Sequence, residues 1–141
     1  MAMPELRTVA ECEWPGVGSW YLKAGGSAAD YWTLLETVHA DGHRDEGGMG
    51  GPALYPGHLL NIYTGRSDRG FLRVIVRAGR SVQRLRFQSE KGEQADCLYN
   101  EVDAAVGVNL FASLLRWKTG VASMQALSAD GQVLWQGPAA H

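Results

Sequence analysis

Apolar and polar residues alternate over two neighbouring stretches in the middle of the chain. From Phe71 to Ala78, aliphatic residues occupy one face, while Arg73 and Arg77 fall on the other. The alternation resumes through residues 82–87, where arginines alternate with leucine and phenylalanine. A period of two residues is that of a β-strand with one buried face. The pattern therefore predicts two amphipathic strands, whose shared apolar face consists of Leu72, Val74, Val76, Leu85 and Phe87.

Two other stretches fit a helix and a strand equally well. Residues from Ser27 to Ala40 have a capping-box pattern and apolar positions at helical spacing. Their aromatic and threonine content, followed by the hairpin signal Asp41-Gly42, favours a strand instead. Residues from Asn100 to Trp117 also show helical spacing, but Gly107 and the β-branched valines weaken a helix. The pattern alone leaves both alternatives open.

Turn signals recur about every ten residues and separate roughly eight to ten short strand candidates. This rhythm is typical of an antiparallel sandwich or barrel. The stretch from Gly47 to Gly57 is predicted to be a loop, whose glycines imply mobility or a close approach of backbones. Residues 1–141 are predicted to form a single all-β domain.

Charge is distributed unevenly along the chain, although the formal net charge is only -2. The first 46 residues hold eight acidic side chains against three basic ones, whereas residues 66–86 hold seven arginines against Asp68. A small net charge gives no general attraction to nucleic acid or membrane. No apolar run approaches the about 18 residues that would span a bilayer. The acidic first third is itself a candidate to cover the basic middle within one molecule.

The N-terminus and the two cysteines bear on the cellular compartment. Residues 1–10 lack the basic segment and apolar run of a signal peptide, so we expect a cytoplasmic protein. Cys12 and Cys97 lack the spacing of a zinc or redox motif. The alternatives are a disulfide between an early and a late strand, or two separate thiols.

Several short motifs together resemble a known group of proteins. They are Gly25-Gly26-Ser27 before Asp30-Tyr31-Trp32, the turn Asp41-Gly42, the glycine-rich Gly47–Pro52, Asn61–Gly65, Val76–Ala78 with Val82, Leu85 and Gly92, Gly107–Phe111, and Ala129–Leu134. Over about residues 20–134, the chain resembles uncharacterised single-domain proteins of high-GC, actinobacterial-type bacteria. The resemblance implies an immunoglobulin-like antiparallel β-sandwich and strands for both ambiguous stretches. It implies no activity.

Candidate metal ligands alternate around the predicted hairpin turn: His39, Asp41, His43 and Asp45. In one extended strand, residues two apart point to the same face. Imidazole and carboxylate groups aligned in this way are ligands for zinc or another divalent ion. Because a turn at Asp41-Gly42 breaks the common face, the alternative is a polar loop tip.

If the two amphipathic strands pair as one ribbon, four arginines share its outward face: Arg73, Arg77, Arg84 and Arg86. Such a face binds phosphates or an acidic protein. Aromatic residues for stacking on single-stranded nucleic acid are nearly absent there, so nucleic acid is not the expected partner. The alternative is a solvated face whose charge discourages aggregation.

The five tryptophans raise a third possibility, a sugar-binding surface. Trp20 and Trp32 are expected in the core, because large aromatic residues dominate sandwich interiors. Trp14, Trp117 and Trp135 lie near turn signals and are candidates for exposure.

Nucleophilic catalysis finds little support in the sequence. It contains no GxSxG elbow, and its glycine-rich segment is not followed by the Lys-Ser/Thr pair of a phosphate-binding loop. The prediction is a non-catalytic interaction module without a cofactor, whose partner is a protein or another anionic surface met by the four arginines. The oligomeric state is left open. The alternative is a metal-binding protein or metal-dependent enzyme that uses His39, Asp41 and His43.

Overall fold

The computed structural model describes residues 4–97 and 100–139. This part of the chain contains twelve β-strands and no helix. In chain order, the strands are β1 (Arg7–Trp14), β2 (Gly18–Gly26), β3 (Tyr31–His39), β4 (Arg44–Met49), β5 (Leu60–Arg66), β6 (Leu72–Ala78), β7 (Arg84–Ser89), β8 (Gln94–Asp96), β9 (Asn100–Asp103), β10 (Val108–Leu115), β11 (Val121–Leu127) and β12 (Val133–Pro138).

The strands form three antiparallel sheets of four strands each. The N-terminal sheet has the order β1-β2-β3-β4, the middle sheet β5-β6-β10-β9, and the C-terminal sheet β12-β11-β7-β8. The prediction of an all-β antiparallel sandwich is confirmed. Each sheet has two edge strands, and β4, β5 and β12 are among them.

The middle sheet is packed on both faces, and β6 is buried at every position. Leu72, Val74 and Val76 lie in one core cluster with residues of the C-terminal sheet, including Phe87. The opposite face of β6 contributes Ile75 to a second cluster with residues of the N-terminal sheet. The three sheets are therefore stacked, with the middle sheet between the other two.

The predicted pairing of the two amphipathic strands is wrong. β6 pairs with β5 and β10, whereas β7 pairs with β11 and β8. The five residues predicted to share an apolar face do belong to one buried cluster. They meet across the space between two sheets. The pairing was mispredicted because the alternation identifies a buried face but does not identify the hydrogen-bonded neighbour.

Both ambiguous stretches form strands. In β3, odd-numbered residues from Tyr31 to His39 are buried, whereas the even-numbered ones are half-buried on the outer face. Trp32 lies on that outer face, so its predicted place in the core is wrong. The second stretch contains β9 and β10, separated by a turn in which Gly107 has a φ of 74°.

The glycine-rich stretch after residue 46 begins as a strand, which corrects the predicted loop. Gly47 and Gly48 lie in β4 and pair with β3. A Cβ at Gly48 would lie 2.0 Å from the carbonyl oxygen of Thr33, and one at Gly47 would lie 2.4 Å from Nη1 of Arg73. Close approach therefore explains these glycines.

Both cysteines are free thiols, which confirms the second of the two alternatives. Cys12 is exposed on β1. Cys97 is half-buried, and its Sγ lies 3.2 Å from the hydroxyl oxygen of Ser113.

A buried hydrogen bond joins the N-terminal sheet to the middle sheet. The hydroxyl of Tyr31 donates to Oδ2 of Asp103 at 2.5 Å, and Nη2 of Arg7 lies 2.9 Å from the same oxygen. Burial acts to raise the pKa of Asp103, but the hydrogen bonds from Tyr31 and Arg7 outweigh it, so that the pKa lies below its ordinary value of 3.8. Burial and the bond to Asp103 also raise the pKa of Tyr31.

We predict that Tyr31→Phe lowers the free energy of unfolding by about 1–3 kcal/mol near neutral pH, because it leaves a buried carboxylate short of a donor. Asp103 stabilises the fold above its unfolded pKa, and this contribution is lost as the pH falls through the lower folded pKa. The difference between wild type and variant should therefore shrink in acid. Urea unfolding across a pH series measures it, with Tyr21→Phe on β2 as the control. A difference independent of pH would contradict the assignment.

Candidate functional site

Three edge strands and one connecting segment surround a pocket of about 770 Å³. We call it the edge pocket. Its lining comes from the end of β4, the segment 50–59, β5, Arg77 of β6, and β12. Its lining residues are Met49, Gly50, Pro52, Tyr55, Gly57, His58, Leu59, Leu60, Asn61, Ile62, Arg77, Leu134, Trp135 and Pro138.

A bulge in β12 places two consecutive side chains in the wall of the edge pocket. Trp135 pairs with Ala126 and Val133 pairs with Leu127, so the register skips Leu134. An extra residue of this kind bends an edge strand and redirects a side chain. As a result, both Leu134 and Trp135 line the pocket, whereas Val133 does not.

Polar side chains of the middle sheet hold the segment 50–59 in place. Nδ2 of Asn61 donates to the carbonyl oxygens of Pro52 at 3.2 Å and Ala53 at 3.1 Å. Nη1 of Arg77 donates to the Pro52 carbonyl at 2.9 Å. Farther along the segment, Tyr55 is 51 % exposed and its ring meets that of His58 with a centroid separation of 5.9 Å.

Arg77 is only 1 % exposed, although it lines the edge pocket. Its Nη2 donates to the carbonyl oxygens of Met49 at 2.6 Å and Tyr31 at 2.9 Å, and the guanidinium lies over the Tyr31 ring. Burial lowers the pKa of Arg77 to about 10, because the charged form is removed from water. This cation is therefore held by neutral oxygen atoms at the boundary between the core and the pocket.

The four predicted arginines do not share an outward face. Arg73 and Arg77 project from β6 toward the N-terminal sheet and are 5 % and 1 % exposed. Arg84 and Arg86 belong to β7 in the C-terminal sheet, where Arg84 is exposed and Arg86 pairs with Asp96 at 2.9 Å. The reason is that a second sheet covers the face that the alternation presented as solvated.

The acidic first third does cover part of the basic middle. Oδ1 of Asp45 lies 3.3 Å from Nη2 of Arg73 inside the stack. On the surface, Oδ2 of Asp41 lies 2.7 Å from Nη2 of Arg69. The hydrogen bond from Arg69 and the backbone N–H of His43 hold the pKa of Asp41 below its usual range.

A second candidate site lies where the β3–β4 hairpin meets the β5–β6 turn. His43, Asp45 and Asp68 each present one possible ligand atom, and these atoms lie within 4.8 Å of one another. Nε2 of His43 is 2.8 Å from Oδ2 of Asp68. Hydrogen bonding with Asp45 and His43 lowers the pKa of Asp68. We call these three residues the His-Asp-Asp group.

The predicted metal ligands meet only in part. His43 belongs to the His-Asp-Asp group, and His39 lies behind it, with Nε2 3.3 Å from Oδ2 of Asp45. The rings of the two histidines are 5.4 Å apart. Asp41 is instead directed to Arg69. Asp68 was not predicted, because it follows His43 by 25 residues and belongs to another hairpin.

The sequence also gave no prediction of the edge pocket. Trp135, a candidate for exposure because it lies near a turn signal, is half-buried. Trp20 is buried as predicted, but Trp117 is buried too. The segment 50–59 combines glycine, proline, tyrosine and histidine, and this composition was the available signal for a binding loop.

No protein-family model matches the chain, and neither a curated protein nor a solved structure matches it. The resemblance to actinobacterial-type proteins and the immunoglobulin likeness of the sandwich therefore stay predictions. In the described residues, no helix is long and apolar enough to cross a membrane.

We predict that Asp45→Asn lowers the free energy of unfolding by about 3–5 kcal/mol, because it leaves the buried charge of Arg73 without its partner. Asp41→Asn is the matched control. It also removes a carboxylate from an arginine, but its pair with Arg69 is exposed and should contribute little. Chemical unfolding of the two variants compares them. Equal effects would show that burial does not decide the strength of these pairs.

Proposed function

We propose that the protein is a non-catalytic binding module and that the edge pocket receives a small, mainly apolar molecule. The observation that carries this proposal is the pocket itself. Its volume of about 770 Å³ falls within the range of small-molecule sites. Most of its lining side chains are aliphatic or aromatic, and a few polar groups converge on it, as in such sites generally.

The construction of the pocket also favours a ligand over simple loop packing. Leu134 remains 37 % exposed in the wall, although a large apolar side chain gains from being covered. The bulge in β12 is what places it there. A bound apolar molecule would cover Leu134, Trp135 and Tyr55 together.

An anionic protein partner for the arginines is a weaker proposal. Of the four predicted residues, Arg84 and Arg86 are at the surface, and Arg86 already pairs with Asp96. Two arginines on one strand form a smaller surface than the predicted set of four. The edge pocket is therefore the better supported site.

We predict that neutral ligands with naphthyl, indolyl or medium-length alkyl bodies bind to the edge pocket. A panel of the corresponding amides, such as 2-naphthamide, indole-3-carboxamide and decanamide, should shift the indole N–H resonance of Trp135 in ¹H–¹⁵N spectra, with Trp135→Phe to assign it. Leu134→Asp should weaken binding about tenfold or more, because it places an unpaired carboxylate in an apolar wall.

Val133→Asp is the matched control for Leu134→Asp. Val133 is the neighbouring residue on β12, is 49 % exposed and does not line the pocket, so its variant should bind as the wild type does. If no ligand that carries one of these apolar bodies, neutral or charged, shifts Trp135, the proposed function is wrong. Equal loss of binding in the two variants would place the ligand elsewhere.

Binding of a divalent cation by the His-Asp-Asp group is the second candidate function. The observation that favours it is the convergence of one imidazole and two carboxylates from two hairpins. Such a mixed nitrogen and oxygen set suits zinc and similar ions. Arg73 already neutralises Asp45 from behind, and this reduces the attraction for a cation.

We predict that, if this second function holds, the protein retains about one zinc ion per chain after incubation with zinc and gel filtration. His43→Ala should lose the ion, because it removes the nitrogen ligand. Asp41→Ala should keep it, because Asp41 is a nearby carboxylate outside the group. Elemental analysis measures the metal content. A zinc-free wild type, or equal loading of both variants, would exclude the site.

A further inference from the structure

Arg77 is a buried cation whose charge no acidic side chain of the described residues balances. Among the described residues, its hydrogen bonds end on neutral oxygen atoms: the carbonyls of Tyr31, Met49 and Pro52 and the hydroxyl of Thr33. Across residues 4–97 and 100–139, no acidic side chain forms an ion pair with it. Arg73 lies four residues before Arg77 on the same face of β6, and it is instead paired with Asp45.

An unbalanced guanidinium in the interior is costly, because carbonyl dipoles replace only part of the lost hydration. A purely structural tie between the segment 50–59 and the middle sheet would not need the charge, since Asn61 already bonds the same Pro52 carbonyl. The position of the charge is informative: Arg77 borders the edge pocket, and so does Pro52, the acceptor of its Nη1.

Arg77 has one more N–H donor than its described hydrogen-bond acceptors occupy. A guanidinium carries five N–H groups, two of them on Nη1. Nε and Nη2 have acceptors in Thr33, Tyr31 and Met49, whereas Nη1 has one, the carbonyl of Pro52. Among the described residues, one N–H of Nη1 therefore has no acceptor, and this nitrogen is the one that bonds Pro52, a residue of the pocket lining.

The charge of the pocket lining is one-sided. None of the described residues that line the edge pocket is acidic, and the ionisable ones among them are Arg77, His58 and Tyr55. An anionic group on a ligand would therefore meet a cation without meeting a competing carboxylate. A carboxylate, with a single charge and planar oxygens, matches one guanidinium, whereas a phosphate dianion would require more positive charge.

We propose that the ligand of the edge pocket is an organic carboxylic acid, whose carboxylate accepts a hydrogen bond from Nη1 of Arg77 and whose apolar body lies against Leu134 and Trp135. This inference rests on the proposed function, because it names the ligand class of the same pocket. Since Arg77 is 1 % exposed, the carboxylate reaches it through a small outward shift of the segment 50–59. The ligand thus supplies a counter-charge that the described part of the chain does not.

The test compares acids with their neutral amides in the wild-type protein. The pairs are 2-naphthoate with 2-naphthamide and decanoate with decanamide, titrated with the Trp135 indole resonance as the readout. Within each pair the apolar body is the same, so the difference reports the charge. We expect the acid to bind about tenfold or more tightly. This preference should disappear when the pH falls below the carboxyl pKa of the free acid.

Variants then assign the preference to one arginine. Arg77→Gln should abolish the difference between acid and amide, Arg77→Lys should keep part of it, and Arg84→Gln, at an exposed arginine of β7, should leave it unchanged. The wild-type comparison requires no variant, so it decides the charge preference even where Arg77→Gln fails to fold.

The possible outcomes separate the two proposals. If the amide binds as tightly as the acid, the carboxylate inference is overturned while the proposed function stands. If neither ligand shifts Trp135, both are overturned. If a folded Arg77→Gln variant still prefers the acid, or if Arg84→Gln loses the preference, the assignment to Arg77 is wrong.

Discussion

The burial of β6 between two sheets is the constraint on which the rest of the structure depends. Polar groups on a strand that is covered on both faces need partners within the protein. β6 carries two arginines on one of its faces. The N-terminal sheet supplies these partners on its inner face. Thr33 contacts Arg77, and Asp45 contacts Arg73. The aliphatic face requires no such partners, and the C-terminal sheet packs there with Leu85 and Phe87.

Alternation along the sequence predicted the strands and their faces but not their arrangement. It identified the apolar side of β6 and of β7, but it left β3 open between a helix and a strand. It could not distinguish water from a polar-lined second sheet, because arginine at every other position is compatible with both. The pairing of β6 with β5 and β10 depends on contacts between residues far apart in the chain, which a local pattern does not record.

The candidate sites show the same division between local and distant information. The imbalance of charge was visible in the sequence and predicted that the acidic first third covers the basic middle, and the pairs Asp41–Arg69 and Asp45–Arg73 are contacts of this kind. The proximity of His43 to Asp68 was not visible, because two separate hairpins bring them together. The edge pocket could not be predicted from the sequence, because its walls come from edge strands of three sheets. Its shape also depends on one skipped position in the register of β12.

The position of Leu134 outside the register of β12 affects how the edge pocket can change in evolution. An inserted residue in an edge strand alters one wall without disturbing the ladder between β11 and β7. Removal of Leu134 would leave Val133 and Trp135 opposite the partners they already have, in a regular ladder. The pocket would lose one side chain, and the side chains of the stacked core would stay in place. Specificity in such a fold can therefore evolve by single insertions and deletions at its margin, separately from selection on the stability of its interior.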